Sequence, residues 1–290
     1  MRPSLTTRAE LPFEPPYDRR AALRLLAAHA VPGAEVVDLI AGSYRRLFPT
    51  PLGAVSATLQ LLPDRVIVQA DADPSATSAL LPAVRALLDL DADPAAIAAK
   101  FADDDRIGPL VAARPGLRVM GHPSGWEAAV TTILGQQVSL AAARTFAGRL
   151  LARFGDDHPS GLTSFPSSEV VAGADPEQLR AAMGITTGRS ATIQRTAEAF
   201  ADGLVVAPDS DHGEARRRLL AIPGIGPWTV DYLAVRALGD RDAFPSGDLV
   251  LRRALGDVDT KTALAMSQPW RPLRAYALLQ LWTSFAPSLA

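Results

Sequence analysis

The sequence contains no cysteine. This absence excludes disulfide bonds, thiolate zinc sites, cysteine nucleophiles and iron–sulfur clusters from the chemistry of the chain. No apolar run approaches the roughly 18 residues that a membrane-spanning helix needs. The N-terminal stretch lacks the apolar segment of a secretory signal. We therefore expect a cytoplasmic protein with no membrane partner.

Lysine is also scarce, because only Lys100 and Lys261 are lysines among the 29 basic residues. The net charge is −2, which by itself does not favour a nucleic-acid partner. However, residues 71–105 carry eight aspartates and two basic residues, a net charge of −6, which leaves +4 on the rest of the chain. This uneven distribution allows a basic face elsewhere on the protein.

Apolar periodicity in the first 95 residues indicates both helices and strands. Residues 19–31 and 75–90 have helical patterns. Residues 53–61 and 65–70 alternate between apolar and polar side chains, and a Pro-Asp turn separates them. We therefore predict an α+β fold in which residues 1–95 form a small N-terminal α+β domain with an antiparallel sheet.

Residues 96–290 lack strand patterns and are predicted to form an all-helical region of about eight helices. The clearest helix, over 126–136, has an apolar stripe at Trp126, Ala129, Val130, Ile133 and Leu134. The other predicted helices cover residues 139–155, 175–184, 189–203, 214–221, 227–238, 247–255 and 271–285.

The stretch AIPGIGPWTV, at residues 221–230, interrupts two good helical patterns. Gly224 and Gly226 permit positive φ and close approach of another backbone, and Pro227 suits the first position of a helix. Ile222 and Ile225 are expected to form the core of the resulting hairpin. The free amides at the second helix start favour an anion such as phosphate. The alternative is a tight turn between helices with no ligand.

This region resembles the helix-hairpin-helix DNA glycosylase superfamily. The hairpin of that superfamily is similar to LLAIPGIGPWTVDYLAVRAL, and together with the helix that precedes it this segment covers residues 214–238. The catalytic loop of the superfamily is similar to DAFPSGDLVLRRAL, at residues 242–255. Four further segments resemble the bacterial DNA-3-methyladenine glycosylase II family: PPYDRRAALRLLAAHAV, AARPGLRVMG, ILGQQVSLAAA and WRPLRAYALLQLW. The resemblance covers most of the chain, in order, including the N-terminal domain.

The resemblance implies that Asp248 is the catalytic residue. Cleavage of an N-glycosidic bond places developing positive charge on the sugar, and a nearby carboxylate stabilises that charge and orients the attacking water. An alkylated purine already carries positive charge, so it leaves with little acid catalysis. The alternative reading is that Asp248 caps the helix that follows it, and this role is compatible with catalysis.

The family's aromatic base pocket corresponds to Trp228, Tyr232 and Trp282. An electron-poor alkylated base stacks well on such rings. The alternative is that the three are ordinary core aromatics. Further pocket positions that are aromatic in the family are occupied here by Leu25, Leu249 and Thr283. The resemblance therefore implies a less aromatic pocket and a substrate range that differs.

DNA contacts are implied at the hairpin and at one residue outside it. Gln137 corresponds to the family residue that fills the gap in the duplex left by a flipped base. The alternative is that Gln137 is only a solvent-facing residue at the end of a helix. The expected hairpin contacts are Gly224, Ile225, Gly226, Pro227 and Thr229. The family's hairpin also holds a monovalent cation, Na⁺ or K⁺, and the matching backbone carbonyls are those of Leu220, Ile222 and Ile225. No other cofactor is expected.

Some relatives also cut the DNA strand through a lysine Schiff base, and the matching position here is Trp228. We therefore predict a monomeric, monofunctional glycosylase that acts on duplex DNA with a damaged base of the 3-methyladenine type. Two alternatives stay open. One is a glycosylase for deaminated or oxidised bases, and the other is a helix-hairpin-helix protein that binds DNA without catalysis.

Overall fold

Five antiparallel strands form the sheet of the N-terminal part in the computed structural model, which describes residues 6–285. The strands are β1 (Thr7–Pro12), β2 (Glu35–Asp38), β3 (Ser43–Thr50), β4 (Gly53–Leu61) and β5 (Arg65–Ala70). Their spatial order is β1-β5-β4-β3-β2, so the first strand pairs with the last. The predicted hairpin is the β4–β5 pair. The sequence does not reveal β3, whose segment SYRRLFPT combines adjacent arginines with a proline and lacks clean alternation.

Two helices accompany the sheet, α1 (Arg19–His29) and α2 (Pro74–Leu88). Both begin at an aspartate N-cap: the side chain of Asp18 accepts a hydrogen bond from Ala21 N–H, and that of Asp73 accepts one from Ala76 N–H. The α2 helix packs on the sheet and buries Leu80 and Val84 completely. A continuous apolar core between sheet and helix follows from this packing.

Helices dominate the rest of the described chain. They are α3 (Pro94–Phe101), α4 (Ile107–Ala113), α5 (Gly125–Gly135), α6 (Leu140–Phe154), α7 (Ser168–Ala172), α8 (Pro176–Met183), α9 (Thr187–Ala201), α10 (His212–Leu220), α11 (Pro227–Arg236), α12 (Leu249–Ala254), α13 (Thr260–Met266) and α14 (Arg274–Phe285). The expectation of about eight helices is too low, because α3, α4, α7 and α13 have at most eight residues and show little periodicity. A two-stranded ribbon of β6 (Asp156–Asp157) and β7 (Thr163–Ser164) also interrupts the helices.

The α5 helix is the centre of the helical part. Four of the five residues in the predicted apolar stripe are completely buried, and Trp126 is partly buried. Helices α6, α9 and α11 surround α5, so it is buried on several sides rather than along one stripe. Within residues 6–285, no helix is long and apolar enough to cross a membrane.

Candidate active site

Asp248 lies at the start of α12 and is held by three hydrogen bonds. Its Oδ1 accepts one from the backbone N–H of Leu251, at 2.8 Å, so the predicted helix cap is present. The indole of Trp228 donates its Nε1–H to Oδ2 at 3.0 Å, and the indole of Trp282 donates to Oδ1 at 2.9 Å. These three donors fix the orientation of the carboxylate.

The three predicted pocket aromatics lie together beside this carboxylate. Trp228 and Tyr232 are one turn apart on α11, and their rings stack at 5.4 Å with an interplanar angle of 26°. Trp282, on α14, is 6.0 Å from the ring of Tyr232. All three side chains are only partly buried and line a cavity together with Asp248, which distinguishes them from ordinary core aromatics.

The cavity has a volume of about 300 Å³, at the lower end of the range for ligand sites. Leu25 of α1 lines it, so the N-terminal part contributes to its wall. Leu249 is 54% exposed and lies outside the wall, contrary to its predicted place in the pocket, and Val250 lines the cavity instead. Successive residues of a helix point about 100° apart, and the packing of α12 against α14 turns Val250 toward the cavity and Leu249 away from it.

The helix-hairpin-helix consists of α10, a short turn and α11. Ile222 and Ile225 are buried, as predicted. Gly224 has φ +98°, which requires glycine, whereas Gly226 has φ −105° and is allowed for any residue. A Cβ on Gly226 would meet no atom within 4 Å, so this glycine leaves an open surface at the tip of the hairpin.

Three backbone amides at the start of α11 are free to bind a ligand. In the part of the chain that the structure describes, the N–H groups of Gly226, Trp228 and Thr229 donate to no protein acceptor, and Pro227 has no N–H. The side chain of Thr229, however, is buried and accepts a hydrogen bond from Gln136 Nε2 at 3.0 Å. The predicted DNA contact of Thr229 is therefore restricted to its backbone amide.

Gln137 is exposed beside the hairpin and has φ +55°, a left-handed conformation that is uncommon for residues other than glycine. Its neighbour Gln136 holds this loop in place. The Gln136 amide donates to Gly224 O at 3.3 Å, and its carbonyl accepts a hydrogen bond from Arg189. This role of Gln136 is not predictable from the sequence, because a polar residue at a helix end carries no specific signal.

The hairpin is also braced by an ion-pair network. Arg216 of α10 contacts Asp231 of α11 at 2.8 Å and Asp240, which follows α11, at 2.9 Å. Burial raises the pKa of Asp231, and the hydrogen bond from Arg216 partly offsets that effect. Helices α10 and α11 are therefore held together by ion pairs as well as by their apolar core.

Two family models match this architecture: the AlkA N-terminal domain over residues 8–124, and the HhH-GPD superfamily base excision DNA repair protein over residues 130–264. These matches define the class. DNA-3-methyladenine glycosylase 2 of Escherichia coli is 32% identical over 283 residues, which cover 94% of this chain and 95% of that protein. The chain therefore belongs to the AlkA family of DNA-3-methyladenine glycosylases, within the HhH-GPD superfamily.

Two further similarities concern length and fold. The probable bifunctional transcriptional activator/DNA repair enzyme AlkA of Mycobacterium tuberculosis is 40% identical and aligns with 96% of this chain, but the chain spans only 57% of that relative. The solved 3-methyladenine DNA glycosylase of Archaeoglobus fulgidus superposes with a TM-score of 0.83 at 21% identity, and the match covers 95% of this chain and 97% of that one. This last likeness establishes the shared fold.

Proposed function

We propose that this chain is a monofunctional DNA glycosylase that removes alkylated bases of the 3-methyladenine type from duplex DNA, the first step of base excision repair. The observation that carries the proposal is the position of Asp248. Its carboxylate is oriented by the two indoles of Trp228 and Trp282, in a cavity with aromatic walls, next to a hairpin with outward-facing amides.

The hairpin supplies the binding step. The free amides of Gly226, Trp228 and Thr229 lie at the positive end of the α11 dipole, where a DNA phosphate binds. Gly226 has no side chain between the hairpin and that phosphate. Because a glycosylase cannot reach a base inside the duplex, the damaged nucleotide is flipped out, and exposed Gln137 fills the space that it leaves.

The cavity supplies the chemical step. The flipped base stacks on Trp228, Tyr232 and Trp282, and a positively charged alkylpurine gains about 1–2 kcal/mol from each well-placed aromatic face. As the bond between base and sugar breaks, its electron pair leaves with the alkylpurine, which becomes neutral. The Asp248 carboxylate stabilises the oxocarbenium charge that develops on the sugar and orients the water that attacks it. The products are the free base and an abasic strand.

Strand cleavage by a Schiff base is not part of the proposed reaction. The hairpin position that carries lysine in bifunctional relatives is Trp228, whose indole is already bonded to Asp248. Lys261 lies exposed on α13, in a different element. If the abasic product is trapped with borohydride, no protein–DNA adduct is expected, and such an adduct would contradict a monofunctional enzyme.

We also propose that the hairpin holds a monovalent cation through backbone carbonyls. The residues fit such a group: the carbonyls of Leu220 and Ile225 accept no hydrogen bond from the described residues, and that of Ile222 accepts one, from Ile225 N–H at 3.0 Å. Neutral oxygens of this kind suit a hard cation. The cation would add positive charge next to the phosphate site. The protein is proposed to act as a cytoplasmic monomer.

The decisive experiment compares the wild type with Asp248→Asn on randomly methylated duplex DNA. Asparagine is an equally good N-cap, so the variant is expected to fold and to bind DNA. Release of free base is expected to fall by at least a hundredfold. Binding without base release by the wild type would instead support a non-catalytic DNA-binding module. A panel of duplexes with deaminated and oxidised bases separates the alternative specificities by which base is released first.

A further inference from the structure

The segment that leads from α11 to the catalytic carboxylate is tied to α14 at both of its ends. At the far end, Asp248 accepts a hydrogen bond from the indole of Trp282, on α14. Near the start, Asp242 accepts two from the guanidinium of Arg274, at 2.9 and 3.1 Å. A bidentate pair of this kind fixes orientation as well as distance. Residues 241–248 and α14 therefore form one unit, here called the catalytic unit, which carries both Asp248 and Trp282.

Asp89 of the N-terminal part contacts both components of the catalytic unit. This residue directly follows α2, and its side chain is only 8% exposed. Its Oδ1 accepts a hydrogen bond from Arg241 Nη2 at 3.0 Å, and its Oδ2 accepts one from the hydroxyl of Tyr276, on α14, at 2.7 Å. The backbone N–H of Val119 donates a third, to Oδ2 at 3.2 Å. Asp89 thus anchors the catalytic unit to the N-terminal part.

The burial of Asp89 couples the positions of its partners. A buried carboxylate is costly unless hydrogen-bond donors surround it, and here the donors come from three separate segments of the chain. Burial raises the pKa of this carboxyl, and the hydrogen bond from Tyr276 and the charge of Arg241 act in the opposite direction. Displacement of either partner would leave a buried carboxylate short of a donor, so each partner is held in place.

Asp89 does not itself touch the base. Among the residues that the structure describes, those that line the active-site cavity include Leu25 of the N-terminal part and Trp282 of the catalytic unit, but not Asp89. The anchor at Asp89 therefore acts from outside the cavity. It sets where Asp248 and Trp282 lie relative to the wall that the N-terminal part contributes.

We propose that Asp89 is a positioning residue for base removal. Through its bonds to Arg241 and Tyr276 it holds the catalytic unit where the carboxylate of Asp248 faces the sugar of the flipped nucleotide. Such positioning matters because a displacement of about 1 Å at a reacting group can cost on the order of a hundredfold in rate. The inference rests on the proposed function and gives the N-terminal part a role in its chemical step. DNA binding by the hairpin does not depend on this anchor.

Asp89→Asn tests the anchor with little change to the backbone, because Asp89 has φ +50° and asparagine tolerates this left-handed conformation. The amide oxygen is expected to keep the two donors at the Oδ2 position, so the NH2 group faces Arg241 and that bond is lost. The rate constant for base release from methylated duplex DNA, in single turnover at saturating enzyme, should fall about tenfold. The Kd for the same DNA, measured by fluorescence anisotropy, should not change.

Tyr17→Phe is the matched control for a purely structural effect. The Tyr17 hydroxyl is buried and donates to the carbonyl of Leu88, the residue before Asp89, at 3.1 Å. This bond lies within the N-terminal part. Tyr17→Phe and Asp89→Asn each lose one hydrogen bond, so each should lower the melting temperature by about 2–4 °C. Only Asp89→Asn should slow base release.

Arg241→Met removes the same bond from its other end. The Arg241 side chain is 41% exposed, so this variant is expected to fold and keeps the test available if Asp89→Asn does not. It should slow base release as much as Asp89→Asn does. Because the two changes remove one shared contact, the double variant should be no slower than either single variant. A double variant whose loss is the product of the two single losses would overturn the assignment.

A second measurement reports on the site without any activity. The chain has four tryptophans, so protein made with isotope-labelled tryptophan gives four indole N–H signals in an NMR spectrum. Two of these indoles donate to Asp248, whereas that of Trp126 donates to a backbone carbonyl elsewhere. Asp89→Asn should shift the signals of the first two and leave that of Trp126 in place. Tyr17→Phe should shift none of the three. Single Trp→Phe variants assign the signals.

The outcomes separate this inference from the proposed function. Unchanged base release and unchanged indole signals in Asp89→Asn, at a melting temperature lowered as in Tyr17→Phe, would show a structural role alone and overturn the inference. Weaker DNA binding with an unchanged rate constant at saturation would also overturn it. If the wild type releases no base from methylated DNA, the proposed function fails, and the indole signals then decide whether Asp89 positions the carboxylate of Asp248.

Discussion

Gly224→Ala is expected to destabilise the protein strongly, because two features of the hairpin turn oppose a side chain at this position. The backbone has φ +98°, where an L-residue is strained. A Cβ would also lie 2.1 Å from Thr192 Oγ1, so Thr192 of α9 would have to move. The hydroxyl of Thr192 donates to Pro223 O at 3.1 Å, and that hydrogen bond would be lost.

The size of the effect follows from these two contributions. A left-handed backbone costs an L-residue roughly 1–2 kcal/mol, and the lost hydrogen bond adds about 1 kcal/mol. Displacement of Thr192 brings the expected loss in the free energy of unfolding to about 2–4 kcal/mol. At roughly 2–4 °C per kcal/mol for chains of this size, the melting temperature should fall by about 4–16 °C.

Gly226→Ala is the matched control. It adds the same methyl group two residues away, where φ is −105° and no atom lies within 4 Å. Its melting temperature is expected to stay within about 2 °C of the wild type. Because the methyl group points to open surface beside the free amides, binding of duplex DNA should weaken severalfold in fluorescence anisotropy. The two variants thus separate the folding role of one glycine from the binding role of the other.

A third variant tests the assigned cause. Thr192→Ala removes the obstructing hydroxyl, so Gly224→Ala should cost about 1–2 kcal/mol less in that background than in the wild type. Equal melting temperatures for Gly224→Ala and Gly226→Ala would refute the reasoning. An unchanged cost in the Thr192→Ala background would refute the steric part alone.

Three further predictions concern Asp248, Arg46 and His29. Asp248→Asn keeps the cap but turns its amide NH2 toward the Trp228 indole N–H, so it should lower the free energy of unfolding by about 1–3 kcal/mol while base release is lost, measured by urea unfolding beside the release assay. Arg46→Met leaves Glu127 and Glu35 without their buried partner and should cost about 3–5 kcal/mol, of which Arg46→Met/Glu127→Met should recover only a part, because Glu35 still lacks its cation. The pKa of His29 is lower in the folded protein, at about 4, than in the unfolded chain, where it is 6.5. The unfolded state therefore binds the proton first, so stability is complete above about pH 6.5 and falls as the pH drops toward 4. His29→Asn should flatten that part of the pH–stability curve, and an unchanged slope would contradict this origin.

Much of the site was predictable because its signals are local. The Gly and Pro positions of the hairpin, the cap at Asp248 and the one-turn spacing of Trp228 and Tyr232 depend on residues within about four positions of each other. The orientation of Leu249 and the burial of the Thr229 side chain were not predictable in this way. Both depend on how α12 and α11 pack against distant elements.

The sequence by itself determined the α+β class and the hairpin, because periodicity, caps and turn residues act over short distances along the chain, and its resemblance to the glycosylase family pointed to Asp248 as the carboxylate. Only the tertiary structure decided which groups surround that carboxylate. Trp228 and Trp282 lie 20 and 34 residues from Asp248 and still donate to it. The cavity wall likewise brings together His29 of α1 and His122, which precedes α5. Such contacts arise from side-chain packing across elements, which local sequence patterns do not encode.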